Sequence, residues 1–227
     1  MKYLVITAFV LLLSCTTNNE LTIKPSKPYD QVLSDIEQNR TQYNLKYTNA
    51  NSIERKTVIK QAKAYLFHEL TMEIFPSWYG TKWDFNGTTQ VPQEGYIACG
   101  YFVTTTLRDL GLKVPRVKWA QAASETMILS ATSSVKRFSN ADMSQIKEWL
   151  NTEEDNIYIV GLDNHTGFVY KKGADLLFVH SSPYNKAHGV IAETLDSHSP
   201  LTVSKYRVFG KILTDEMVLK WMEQSAY

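Results

Sequence analysis

Apolar residues recur at helical spacing through the first half of the chain and switch to short β-like runs in the second. Ile53, Val58, Ala62, Tyr65, Leu66 and Leu70 predict a helix from about 53 to 70, with Ser52 as its cap. Pro76, Gly80, Gly87, Pro92 and Gly95 then break the pattern into a long loop rich in Trp78, Tyr79, Trp83 and Phe85. A second helix is expected from Cys99 to about Leu110, stopped by Gly111 with Pro115 beyond. A third starts near Asn140 with Met143, Ile146, Trp149 and Leu150 as its stripe. Five β-rich runs follow, at 157–160, 167–170, 176–179, 190–191 and 206–209, and a last helix runs from Thr214 to about Gln224. Helices first and antiparallel strands after predict an α+β domain over residues 31–227.

The amino-terminal stretch has a different character. Lys2, an apolar run from Tyr3 to Leu13, and then Ser14-Cys15 resemble a bacterial lipoprotein leader. The run is too short to span a bilayer, which takes about 20 residues. Residues 1–14 are expected to be a signal peptide, Cys15 the lipidated residue, and residues 15–30 a tether. That places the protein in the bacterial cell envelope, anchored to a membrane through Cys15, with the outer membrane facing the periplasm as the expected site. A plain signal peptide or a first core helix are the alternative readings.

Of 227 residues, 24 are basic and 23 acidic, and removal of residues 1–14 leaves 23 of each. Nothing concentrates basic charge on one face, so nucleic acid is not an expected partner. The composition also excludes wholesale disorder, collagen and coiled coil.

There are two cysteines, Cys15 and Cys99. If Cys15 carries lipid, Cys99 is a lone thiol in an oxidising compartment, either buried as a small hydrophobe or used as a nucleophile. Its position after a glycine-containing loop and at a helix start favours thiolate and offers N–H groups to an oxyanion. A thiolate needs a base, normally an imidazole held by a third polar group. His165 at the start of one strand and His180 at the end of the next supply one. With Lys172-Gly173 as a two-residue turn, residue 165 lies directly opposite 180 and the two rings meet. His68, His188 and His198 are read as structural or solvent-facing. Zinc on Cys99, His165, His180 and an acid is the competing arrangement, although the close-spaced Cys/His pairs typical of zinc sites are missing. No cofactor is expected.

The stretch KWDFNGTTQVPQEGYIACGYFVTTTLRDLGLKVPR resembles the nucleophile region of the NlpC-type cell-wall cysteine peptidases, a papain-like family. NHTGFVYKKGADLLFVHSSP resembles the family's second region, a His-x-Gly strand, a turn, and a strand ending in His before small residues. The resemblance spans about residues 80–210. It implies a papain-like fold, a Cys-His-His constellation of Cys99, His165 and His180, and hydrolysis of amide bonds in peptidoglycan stem peptides. Trp83 takes the place of the family's loop tyrosine, which assists the oxyanion and substrate. Gln93, six residues before Cys99, is a candidate oxyanion donor, as glutamine is in papain-like sites; a solvent-exposed loop amide is its other reading. Ala98 stands where the family has Asp, and Asn86 replaces a glycine. Trp78, Tyr79, Trp83 and Phe85 are expected to line the cleft. Two other readings stay open: an amide hydrolase with a non-peptidoglycan substrate, and a catalytically silent lipoprotein that binds wall fragments or a protein partner.

Overall fold

The computed structural model describes residues 23–184 and 189–227; the leader, Cys15 and His188 lie outside the described residues. The architecture is mixed α+β: helices gathered around a six-stranded antiparallel sheet.

Two long helices open the domain, α1 (Tyr29–Asn49) and α2 (Ser52–His68). The polar pattern of α1 conceals it, because only Val32 and Ile36 of its 21 residues are buried. Its start is fixed by the Tyr29 hydroxyl, which donates to Asp109 at 2.6 Å and accepts from Trp78 Nε1 at 2.9 Å. Contacts to the domain begin before α1, since Ser26, inside the 15–30 segment expected as a tether, donates its N–H to Glu73 at 2.9 Å. The cap of α2 is Asn51, not Ser52. Its side chain accepts from the N–H groups of Ile53 and Glu54, and Glu54 reaches back to the Asn51 N–H. Beyond His68 the chain widens into a π-helix (Glu69–Ile74) and continues as α3 (Phe75–Trp78), with Pro76 just after the widened turn. The start of the expected loop is therefore core: Trp78 is fully buried.

A pair of two-residue strands follows, β1 (Lys82–Trp83) and β2 (Tyr96–Ile97), and then α4 (Cys99–Asp109), α5 (Arg116–Ala120) and α6 (Ser124–Ala131). The remaining elements are β3 (Val135–Ser139), α7 (Met143–Thr152), β4 (Asn156–Leu162), β5 (Thr166–Lys172), β6 (Asp175–Ser181), β7 (Val190–Thr194), α8 (Pro200–Val203), β8 (Tyr206–Lys211) and α9 (Asp215–Glu223). Sheet order is β3-β8-β4-β5-β6-β7. The central strands read as continuous apolar runs because both faces are covered. Ile157, Ile159, Phe168, Tyr170 and Val179 pack into the core that holds α2 and α4, while Tyr158, Val160, Val169 and Phe178 pack with Ile146 and Leu150 of α7. Among the described residues no helix is long and apolar enough to cross a membrane.

The hairpin turn lies one residue later than the sequence expectation, which slides the pairing by two residues. Lys172 pairs with Asp175 and Phe168 with Val179, so the two-residue turn is Gly173-Ala174. Gly173 has φ +60°, and it takes the first central position, where a type II′ turn calls for glycine. Gly167, rather than His165, thus lies across from His180; a Cβ on Gly167 would sit 2.7 Å from the His180 Cβ.

Candidate active site

Three segments converge on the amino-terminal tip of α4. The loop before it is pulled in at Gly87, whose carbonyl accepts the Ala98 N–H at 2.9 Å and whose missing Cβ leaves room for the Ile97 backbone. From the sheet, the Ser181 hydroxyl donates to the Ile97 carbonyl at 2.7 Å, a buried bond that ties the residue after His180 to the turn before Cys99. Arg116 binds the hydroxyl of Thr105 at 2.8 Å and the carbonyls of Thr88 and Thr89 at 2.9 and 3.1 Å, clamping α4 to the loop. Arg116, which begins α5 after Val114-Pro115, acts structurally in this way.

The first N–H groups of α4 have no intrahelical acceptor, and Ala98 offers them no side-chain cap. Those of Cys99 and Gly100, with the Thr166 N–H, favour the thiolate at Cys99. Burial outweighs them and pushes the thiol above its ordinary value. The helix tip alone therefore does not lower the thiol's pKa, contrary to the sequence expectation.

His165 follows the two-residue Asp163-Asn164 turn, closed by the Leu162 N–H on the His165 carbonyl at 2.9 Å; Asp163 is held by the N–H groups of Lys205 and Tyr206. Despite the shifted register the two imidazoles meet, His165 Nε2 to His180 Nδ1 at 2.8 Å with the rings nearly perpendicular. The contact is diagonal across the hairpin, over the space Gly167 leaves empty. His180 is fully buried and stacks on Phe178, centroids 4.1 Å apart. Its Nε2 lies 2.7 Å from Oε1 of Glu193 on β7, which pairs with Phe178 and so reaches His180 diagonally across the two strands; the sequence carries no motif for it.

Cys99 and His165 line one cleft of about 520 Å³, whose walls include Trp119, Ala120, Ser124, Glu125, Asp163 and Tyr206. Gly100 shapes that wall, because a Cβ there would lie 2.4 Å from the Ala120 carbonyl oxygen. A larger groove of about 620 Å³, lined by Lys56, Lys60, Phe67 and Lys172, lies at the other end of β5 and contains neither residue.

The other expected site residues lie elsewhere. The Gln93 side-chain amide donates to the carbonyls of Ser77 and Tyr79, both at 3.3 Å, and does not line the cleft. Trp83 pairs with Ile97 through β1 and is not among the cleft residues. Trp78 belongs to the core, Tyr79 packs against it, and Phe85 is 79% exposed, so the aromatic loop does not line the cleft. Among the described residues no group of three or more His, Cys, Asp or Glu side chains is placed to hold a metal ion.

Burial holds both imidazoles neutral. His165 lies well below the ordinary histidine value, through burial and then the neighbouring ring, and His180 is lowered to about 3 by burial. Below about pH 6.5 the unfolded chain then binds more protons than the native one, so stability falls as pH drops from there toward 3. Glu193, raised by its own burial, offsets part of the loss. Thermal melts from neutral to acid pH should show this slope, and His180→Asn should flatten it; an unchanged slope would mean the ring is solvated.

No family model, no curated protein and no solved structure matches the chain.

Proposed function

We propose that this protein is a cysteine-dependent amide hydrolase of the bacterial cell envelope, papain-like and of NlpC type, acting on peptidoglycan stem peptides through Cys99, His165 and His180. One observation carries the reading. The sulfur at the tip of α4 sits against the N–H of Thr166, next in sequence to an imidazole that a second, buried imidazole holds by a 2.8 Å hydrogen bond. A structural thiol has no use for that arrangement.

Chemically, Nδ1 of His165 is the ring nitrogen left for the thiol. It takes the Cys99 proton as sulfur attacks the amide carbonyl. Free N–H groups at the helix tip stabilise the oxyanion, as backbone donors do in acyl transfer. His165 returns the proton to the leaving amine, and water activated by the same nitrogen hydrolyses the thioester. Because burial keeps thiol and imidazole neutral at rest, proton transfer accompanies attack rather than preceding it as an ion pair.

Envelope placement rests on the leader and on Cys15, and the choice of peptidoglycan on the resemblance. The silent-receptor reading draws on the Gln93 amide, already committed to two backbone carbonyls and so not free as an oxyanion donor. Mass spectrometry of purified peptidoglycan treated with the protein separates the readings. New stem-peptide termini are expected; products only from short peptides or acyl amides would move the substrate, and no product from any amide would leave a receptor.

A further inference from the structure

Glu193 has no part in the mechanism above, yet it ends an unbroken line of hydrogen bonds into the buried site. His165 Nε2 lies 2.8 Å from His180 Nδ1, and His180 Nε2 lies 2.7 Å from Glu193 Oε1. A carboxylate only accepts, so His180 carries its proton on Nε2. Its Nδ1 must then accept, so His165 carries its proton on Nε2 as well, and its Nδ1 is left bare. The orientation of both rings follows from the single charge at Glu193.

We propose that Glu193 is a positioning residue that terminates a two-histidine proton relay and supplies the negative charge that appears on Cys99. The S–H proton passes to Nδ1 of His165, the Nε2 proton of His165 to Nδ1 of His180, and the Nε2 proton of His180 to Oε1 of Glu193. Three bonds to hydrogen break and three form. Both imidazoles end neutral, the carboxylate ends as an acid, and the charge has moved to sulfur without creation of a new one. In single-imidazole triads the acid stays ionised. Here two rings with at most 7% of their surface exposed would have to hold a cation in an apolar setting, one of them stacked on Phe178. The raised carboxyl and lowered imidazoles run in the direction this transfer needs, while the raised thiol opposes it, so the thiolate form is the minor one at rest. Among the described residues, the titratable groups that act on the relay from the packed elements are His180 on β6, His165 before β5 and His198 after β7.

The proposal rests on Cys99 being the nucleophile, but its test needs no substrate. Iodoacetamide alkylation of Cys99, followed by peptide mass mapping, is measured against pH for wild type, Glu193→Gln and Glu193→Asp. Gln keeps the acceptor oxygen and loses the charge. Wild type should show a pH-independent shoulder around neutrality, which Glu193→Gln lowers by at least roughly tenfold, the two profiles merging only at alkaline pH beyond the ordinary thiol range, where the buried thiol ionises directly. Glu193→Asp should keep part of the shoulder. Superimposable profiles for wild type and Glu193→Gln would overturn the relay. Should Glu193→Gln fail to fold, nitrogen-15 NMR of the wild-type imidazoles decides: both as Nε2–H tautomers supports the relay, and an Nδ1–H on either ring overturns it. A shoulder in a protein that cleaves no wall peptide would sink the substrate assignment and leave the relay standing.

Discussion

Cys99→Ala should lower peptidoglycan turnover by at least about 10⁴-fold, the scale on which loss of a catalytic nucleophile is felt. Its melting temperature should stay close to that of wild type. The expectation follows from position: the side chain lies at a cleft wall, in the first turn of α4, with its sulfur against backbone N–H groups and not enclosed in the core. Alanine in that turn keeps the helix and removes only the sulfur of a half-buried residue. Cys99→Ser is expected to fail nearly as badly, since a hydroxyl facing a neutral, buried imidazole is a far poorer nucleophile than a thiol. Turnover within tenfold of wild type in Cys99→Ala would remove the nucleophile from the account.

Phe75→Ala should cost about 3–5 kcal/mol, the usual range for an aromatic ring deleted from a core. In a domain of this size that lowers Tm by roughly 10 °C. The ring is fully buried between Phe102 of α4 and Phe168 of β5, with centroids 6.2 and 5.0 Å away, and Tyr170 stacks nearby at 6.4 Å. Those are the two elements whose ends carry Cys99 and His165, so the same void also loosens the site. Activity should therefore fall at temperatures where the variant is still folded. Denaturant unfolding read alongside turnover checks both parts. A loss below about 1 kcal/mol would mean the neighbours collapse into the gap.

The parts of this fold visible in the sequence are those that local chemistry dictates. The apolar runs at 157–160, 167–170, 176–179 and 206–209 all fall inside strands β4, β5, β6 and β8, and Cys99 begins α4 as the glycine-bearing loop before it suggested. Elements held by tertiary contacts were hidden. Helix α1 buries two apolar residues and is anchored by Tyr29 and Arg40 side chains reaching distant partners, which no periodicity reveals. The aromatic loop divided: Trp78 joined the core, and Phe85 stayed in solvent. In the hairpin, glycine in second place was expected and glycine in first place was found, which moved the turn by one residue and the pairing by two. The histidine pair survived that shift because Gly167 presents no side chain between the rings. Gln93 illustrates the opposite case, six residues from Cys99 in sequence and yet bonded to Ser77 and Tyr79. Glu193 escaped notice because an acid in a strand has no motif; only its hydrogen bond to His180 sets it apart.

The proposed chemistry requires a sulfur whose reactivity comes from the imidazole of His165 and not from exposure alone. The rate of Cys99 alkylation at neutral pH, compared between wild type and His165→Ala with folding verified, measures that dependence directly. The arrangement at the tip of α4 predicts a drop of at least roughly tenfold when the ring is removed. Equal rates in the two proteins would contradict it.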